Sequence, residues 1–184
     1  MILEIVKYGN PVLREKGRKV KEVDEETRQL AADMLETMRA AHGVGLAAQQ
    51  VGVPIQMTVI DVAGIEDRPS AMWIDGQEVP LEEHMPLVLL NPVLKLSEEK
   101  EVGNEGCLSF PEITAEITRS TGVRCTAQLL DGNKIEFEAA GLLSRAVQHE
   151  TDHLNGVLFI DRMNAATKAS LAGRLKRLQK ETRG

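Results

Sequence analysis

Residues 148–156 read QHETDHLNG, and the spacing inside this stretch sets how the surrounding chain is built. On a helix, residues i and i+4 sit one above the other, so His149 and His153 can point their imidazoles at one ion. Glu150, next to the first histidine, can reach a water on that ion without ligating it. Leu142, Ala146 and His153 fall on one side, with Leu143, Val147 and Leu154 nearby, and Gly156 stops the pattern. The spacing predicts a helix over 142–154 that carries a hydrolytic metal site.

Working outward, three segments before this helix alternate as strands: ITAEITR (113–119), VRCTAQLL (123–130) and KIEFEA (134–139). The last two are joined by DGN, a hairpin signal. Earlier strands are expected at MTVIDV (57–62) and PLVLLNPVLKL (86–96), so the middle of the chain reads as an antiparallel sheet. Between these two, residues 63–85 are polar and turn-rich and read as a long surface loop or an extra hairpin. Near the start, Asp24 followed by Glu25 and Glu26 reads as a helix N-cap, and Leu30, Met34, Leu35, Met38 and Ala41 recur at helical spacing up to Gly43. After the metal helix, a further helix is predicted over 165–181 with Leu171, Leu175 and Leu178 as its apolar stripe. The reading is one α+β domain over 1–184 that ends in a basic helix, 164–184.

Composition narrows the classes. A chain of 184 residues buries about 70% of its unfolded surface and needs no staples. Hydrophobic (42%) and charged (27%) fractions are ordinary for a globular protein, which excludes disordered and fibrous classes. No apolar run reaches the roughly 18 residues of a membrane span. The start, MILEIVKYGNPVLREKG, lacks the plan of a signal peptide, so the cytoplasm is the expected location and Cys107 and Cys125 are expected as free thiols or a metal thiolate. The net charge is −6, yet residues 164–184 hold six basic side chains against Glu181 alone. An acidic body with five aromatic residues argues against a dedicated nucleic-acid binder.

Two histidines need a third ligand, and spacing alone leaves it open. The extended His-Glu-x-x-His-x-x-Gly-x-x-His pattern holds through Gly156 but meets Phe159 at its last position. A glutamate from a following helix would have to be Glu181, within the basic tail. A thiolate is the other common choice. Cys107 lies in NEGCLSFPE, a context unlike a strand interior, whereas Cys125 in VRCTAQLL is most simply a small strand residue.

Taken together, GVGLAAQQ (43–50), EGCLS (105–109) and QHETDH (148–153) resemble the three motifs of the peptide deformylase family. The likeness extends through YGNPVLREKG, LLNP (89–92) and HLNGVLFIDRM (153–163), and so over nearly the whole chain. It implies an α+β fold with antiparallel sheets packed around the central metal-binding helix, and a C-terminal helix. It implies that Cys107, His149 and His153 ligate one divalent metal, ferrous iron, with nickel, cobalt or zinc able to substitute. The implied reaction removes the formyl group from the N-terminal formyl-methionine of new proteins, releasing formate. Glu150 would move the protons, while the side-chain amide of Gln50 and the backbone N–H of Leu108 would stabilise the oxyanion. Gln49 falls on the motif's variable position. The backbone around Val44, Gly45 and Gly106 would pair with an extended substrate. Val44, Leu142 and Ala146 would line the methionine pocket, with the stem of Arg145 as a side, and Asp152 would be a supporting carboxylate.

The chain departs from the family pattern at Thr114, where many relatives have arginine before the next acid (Arg119 lies beyond), and in the longer segment 63–85. The implied partners are N-formyl-methionyl nascent peptides, with the basic C-terminal helix a candidate for docking on ribosomal RNA and no membrane involved. Rival readings are a metallopeptidase acting on internal bonds and an inactive peptide-binding homologue.

Overall fold

Two of the three α-helices start where a side chain caps them. Asp24 accepts the Thr27 amide at 2.8 Å, acids fill the first turn, and α1 (Glu25–Ala40) follows. Its Ala31, Met34 and Met38 are buried, as the helical spacing requires. Asn164 accepts the Thr167 amide at 2.8 Å and starts α3 (Ala165–Arg183). Between them lies α2 (Leu142–Leu154), whose every residue except Asp152 is buried. The computed structural model describes all residues 1–184.

Nine strands surround α2. β1 (Gly45–Ala47), β2 (Met57–Ile60), β3 (Ser70–Ile74), β4 (Gln77–Val79), β5 (Leu87–Leu96), β8 (Gly122–Gln128) and β9 (Lys134–Gly141) form one antiparallel sheet in the order β1-β2-β5-β8-β9-β3-β4. β6 (Lys100–Cys107) and β7 (Phe110–Ser120) form a separate antiparallel pair. This corrects the expectation of one sheet in the middle of the chain, because 113–119 does not pair with the strand that follows it. Its partner is β6, which the sequence did not reveal. In KEVGNEGC only Glu105 is buried, so no apolar alternation marks the strand.

Segment 63–85 is the extra hairpin rather than a loop. Asp75 (φ +52°) and Gly76 (φ +78°) make its turn, the left-handed pair that two-residue hairpins favour. β3 then adds to the edge of β9, and this has a consequence for α2. A helix start leaves four amides without intrahelical partners. Here the carbonyl of Pro69 accepts from Leu142 at 3.1 Å and Ser70 Oγ accepts from Leu143 at 2.9 Å. The hairpin thus supplies the cap that the chain's own N-cap residue, Gly141, cannot.

Gly141 sits at φ +69°, ψ −142°, and a Cβ there would run into the Pro69 carbonyl. Gly141→Ala should therefore destabilise the protein by about 1–3 kcal/mol from backbone strain alone. Urea unfolding measures this, and an unchanged midpoint would count against the hairpin as the cap of α2.

Three apolar clusters fix the helices. Leu142, Leu143, Ala146 and Val147 of α2 pack with Ile60, Met72, Leu89 and Phe137 of the large sheet. Met34 and Met38 of α1 pack with Leu46, Met57 and Val59. Leu171 and Leu175 of α3 join Leu13, Phe110, Ile117 and Phe159, with Leu178 alongside, so the predicted stripe faces inward. No helix is long and apolar enough to cross a membrane.

Candidate metal centre

Fold and topology bring three distant segments to one place. The last residue of β6 is Cys107, and the strand register shifts between Gly106 and Cys107. Cys107 Sγ lies 3.3 Å from His153 Nε2, and the ligand atoms of Cys107, His149 and His153 all lie within 4.8 Å of one another. Ligands about 2.0–2.3 Å from a tetrahedral ion stand roughly 3.5 Å apart, a spacing that Cys107 and His153 already have. One thiolate and two imidazoles suit a borderline divalent transition metal. Cys125, by contrast, is fully buried in the sheet, and burial pushes its thiol up to about 12.

The surroundings orient these three side chains. His149 Nδ1 is 2.8 Å from Glu105 Oε1, which leaves Nε2 for the ion. Burial would raise Glu105, but hydrogen bonds from Arg119 and His149 hold it well below the usual carboxylate range. Arg119 grips it with two nitrogens at 2.7 and 2.9 Å, and Arg145 adds a third bond at 2.8 Å. Arg119 in turn reaches Asp152 at 2.8 Å, and Arg162 closes on Asp152 from outside at 3.0 Å. Asp152 therefore supports the site through Arg119 and Glu105 rather than by touching a histidine. Burial and the nearby His149 hold His153 well below the ordinary histidine range, in the neutral form a ligand needs.

Above the ligands opens a cleft of about 600 Å³. Val44, Gly45, Gln50, Gly106, Leu108, Leu142, Ala146 and Glu150 all line it, with Thr114 on its wall. Gln50 is fixed at both ends: its Oε1 accepts the Ala47 amide at 2.9 Å, and its Nε2 donates to Ser109 Oγ at 3.1 Å and lies 3.6 Å from Cys107 Sγ. Gln49 instead points away from the cleft, to the Leu154 carbonyl at 3.2 Å. Glu150 is 5% exposed, and its Oε1 is a buried acceptor with no partner in the protein. Burial pushes its carboxyl up to about 7, where a group both takes and returns protons near neutrality. Its Oε2 packs so closely on Gly45 that a Cβ there would come within 2.6 Å of it. β1 is the outer strand of its sheet and β6 pairs only with β7, so two unpaired strand edges are available to an extended chain.

The sequence gives no sign of the polar grip of Arg145, and it shows Arg119 only as lying beyond Thr114, yet Arg119 and Glu105 each leave a trace. Ile113, Ala115, Ile117 and Arg119 share the buried face of β7, and a charge on such a row requires a partner. Glu105 lies only two positions before Cys107, near enough along the chain to share its surroundings.

A helix-borne His-Glu-x-x-His pair joined by a cysteine from a separate strand, within sheets packed on that helix, defines a class: the metal-dependent hydrolases. Comparison with known proteins narrows the class. Residues 2–169 match the model of the polypeptide deformylase family. The peptide deformylase of Methylacidiphilum infernorum is 47% identical over 180 residues, covering 98% of this chain and 94% of its own. That of Opitutus terrae is 44% identical over 186 residues, covering 100% and 96%. Among solved structures, peptide deformylase 1B of Arabidopsis thaliana superposes with a TM-score of 0.83 at 36% identity, covering 97% of this chain and 91% of that one. The enzyme from Thermotoga maritima gives 0.76 at 38% identity, covering 89% and 99%. The chain belongs to the polypeptide deformylase family.

Proposed function

We propose that residues 1–184 act as one catalytic unit that removes the N-formyl group from formyl-methionyl nascent peptides and releases formate. The observation that carries this reading is the meeting of Cys107 with His149 and His153 beneath a cleft lined by Glu150 and Gln50. Ferrous iron is the ion we assign to Cys107, His149 and His153, with nickel, cobalt or zinc as substitutes. When bound, the ion would supply Lewis acidity, lowering the pKa of a water at the site toward about 7.

The chain's own groups do the rest. Glu150 takes a proton from the attacking water and returns it to the methionine nitrogen as the formyl C–N bond breaks. Gln50 Nε2 and the Leu108 N–H donate to the formyl oxygen as charge grows on it. The edges at Val44, Gly45 and Gly106 hold the peptide extended, and Val44, Leu142 and Ala146 receive the methionine side chain. Anaerobically purified protein loaded with ferrous or nickel ion should release formate from a short formyl-Met peptide. The metallopeptidase reading requires instead that unformylated peptides be cut, and the scaffold reading requires binding without turnover.

Gln50→Ala should lower kcat about 10²- to 10³-fold, since a single preorganised oxyanion donor is worth roughly 3–4 kcal/mol. Steady-state kinetics with the formyl peptide tests it: a loss confined to KM would remove Gln50 from the oxyanion role.

We also assign α3 a docking role on the ribosome. Its leucines face the core, while Lys168, Lys176, Arg177 and Lys180 are exposed. A basic face on phosphate gains affinity that falls steeply with salt. Reversing Lys176, Arg177 and Lys180 to glutamate should abolish co-sedimentation with ribosomes at low salt and spare activity on free peptides. Unchanged co-sedimentation would sink the assignment.

A further inference from the structure

Cys107 and the two histidines belong to different layers: the thiol ends a strand of the two-stranded sheet, and the imidazoles ride on α2. Nothing in either element alone sets the distance between them. We propose that Arg145 is the positioning residue that clamps β6 to α2 and thereby holds Cys107 at ligating distance from His149 and His153. The inference rests on the reading that these three residues hold the metal.

Arg145 is on α2, one turn before His149, and is 6% exposed. Its guanidinium crosses to the other sheet and bonds along β6. Nη2 donates to the Glu101 carbonyl at 3.1 Å, and Nη1 donates to Glu105 Oε2 at 2.8 Å. Nη1 also reaches the Ile117 carbonyl of β7 at 2.8 Å. One planar fork thus ties α2 to both strands of the sheet that delivers Cys107, two residues beyond Glu105. Lysine offers a charge but not this fork.

β6 is shaped to receive it. A Cβ at Gly103 would stand 2.8 Å from both Arg145 Cζ and Nη2, so the guanidinium lies flat against a strand position that has no side chain. Two features of different elements, a glycine on β6 and an arginine on α2, therefore serve one contact.

The clamp and simple electrostatics predict opposite signs. A cation this near a divalent ion repels it, so if Arg145 acted only by charge, Arg145→Met would tighten metal binding. If it acts as a clamp, Arg145→Met, which keeps an unbranched stem, loosens metal about 10- to 100-fold, the usual effect of losing a group that orients ligands. Cobalt is the probe: its thiolate-to-metal absorption reports Cys107 ligation, and competition with a chelator gives the affinity. Arg145→Met and Gly103→Ala should each weaken cobalt binding and diminish the thiolate band, Arg145→Lys should restore little, and the double variant should be no worse than Arg145→Met alone.

Wild-type affinity and an intact band in Gly103→Ala and Arg145→Met, or tighter binding in the latter, would overturn the clamp. Should Arg145→Met fail to fold, Gly103→Ala, which keeps the arginine and displaces it, decides alone. A wild-type protein that binds cobalt without a thiolate band would overturn the ligand set itself, and the clamp with it.

Discussion

Glu150→Gln should leave a folded, fully metallated protein whose kcat is lower by about 10²- to 10⁴-fold, the usual contribution of a positioned acid–base group. The substitution is nearly isosteric, which matters because Glu150 lies packed against the Gly45 backbone and a smaller residue would leave a gap. Its unpartnered Oε1 faces no protein donor, so the amide removes no hydrogen bond that holds the fold. What it removes is the capacity to take and return a proton. Burial has pushed this carboxyl up to about 7, so in the parent the exchange operates near neutral pH. Formate release from a formyl-Met peptide, with metal content measured on the same sample, tests this. Activity within tenfold of the parent at equal metal content would falsify the assignment of Glu150 as the proton carrier.

Glu105→Ala is expected to be the most damaging single change to stability. One carboxylate accepts from Arg119, Arg145 and His149, and all four groups are buried. Removing it leaves Arg145 without a carboxylate partner and Arg119 with Asp152 alone, and breaking a buried pair from one side costs about 3–5 kcal/mol. It also frees Nδ1 of His149, so metal affinity should fall about 10- to 100-fold. Acid should reduce the difference between variant and parent. The folded-state pKa of Glu105 lies below its unfolded value, so its contribution is complete above the ordinary carboxylate range and is lost as pH falls beneath about 4 toward the folded value. Urea melts of both proteins at neutral pH and at pH 3 check size and sign together. A gap that widens in acid would mean that Glu105 is not the ionised centre of the cluster.

The helices and the local chemistry were legible because they depend on neighbours in sequence. Helix periodicity, the Asp24 cap, the DGN turn and the His-Glu-x-x-His spacing are all set within a few residues, and α2 spans the predicted 142–154. The three motifs carried the family by their wording alone. The two-stranded sheet was not legible. β6 has exposed Val102, two glycines and acids where alternation would be needed, and its pairing with β7 is a choice among strands that no local pattern records. For the same reason Arg119, read as lying beyond the place of an expected substrate-contacting arginine, turned out to grip Glu105 and Asp152 beneath the metal site. The role of residues 63–85 was equally hidden: a surface hairpin caps α2 only because β3 pairs with β9.

What the sequence determined by itself is the set of chemical parts: two imidazoles at one helical pitch, a carboxylate beside them, a glycine-rich approach with Gln50, and a thiol in a turn-rich context. What only the tertiary structure decided is which thiol meets the imidazoles and how it is held there. His149 lies 42 positions beyond Cys107, and that distance is closed by strand register, by Glu105 with its two arginines, and by apolar packing on α2. These are contacts between surfaces, and their geometry exists only once the sheets have folded around the helix.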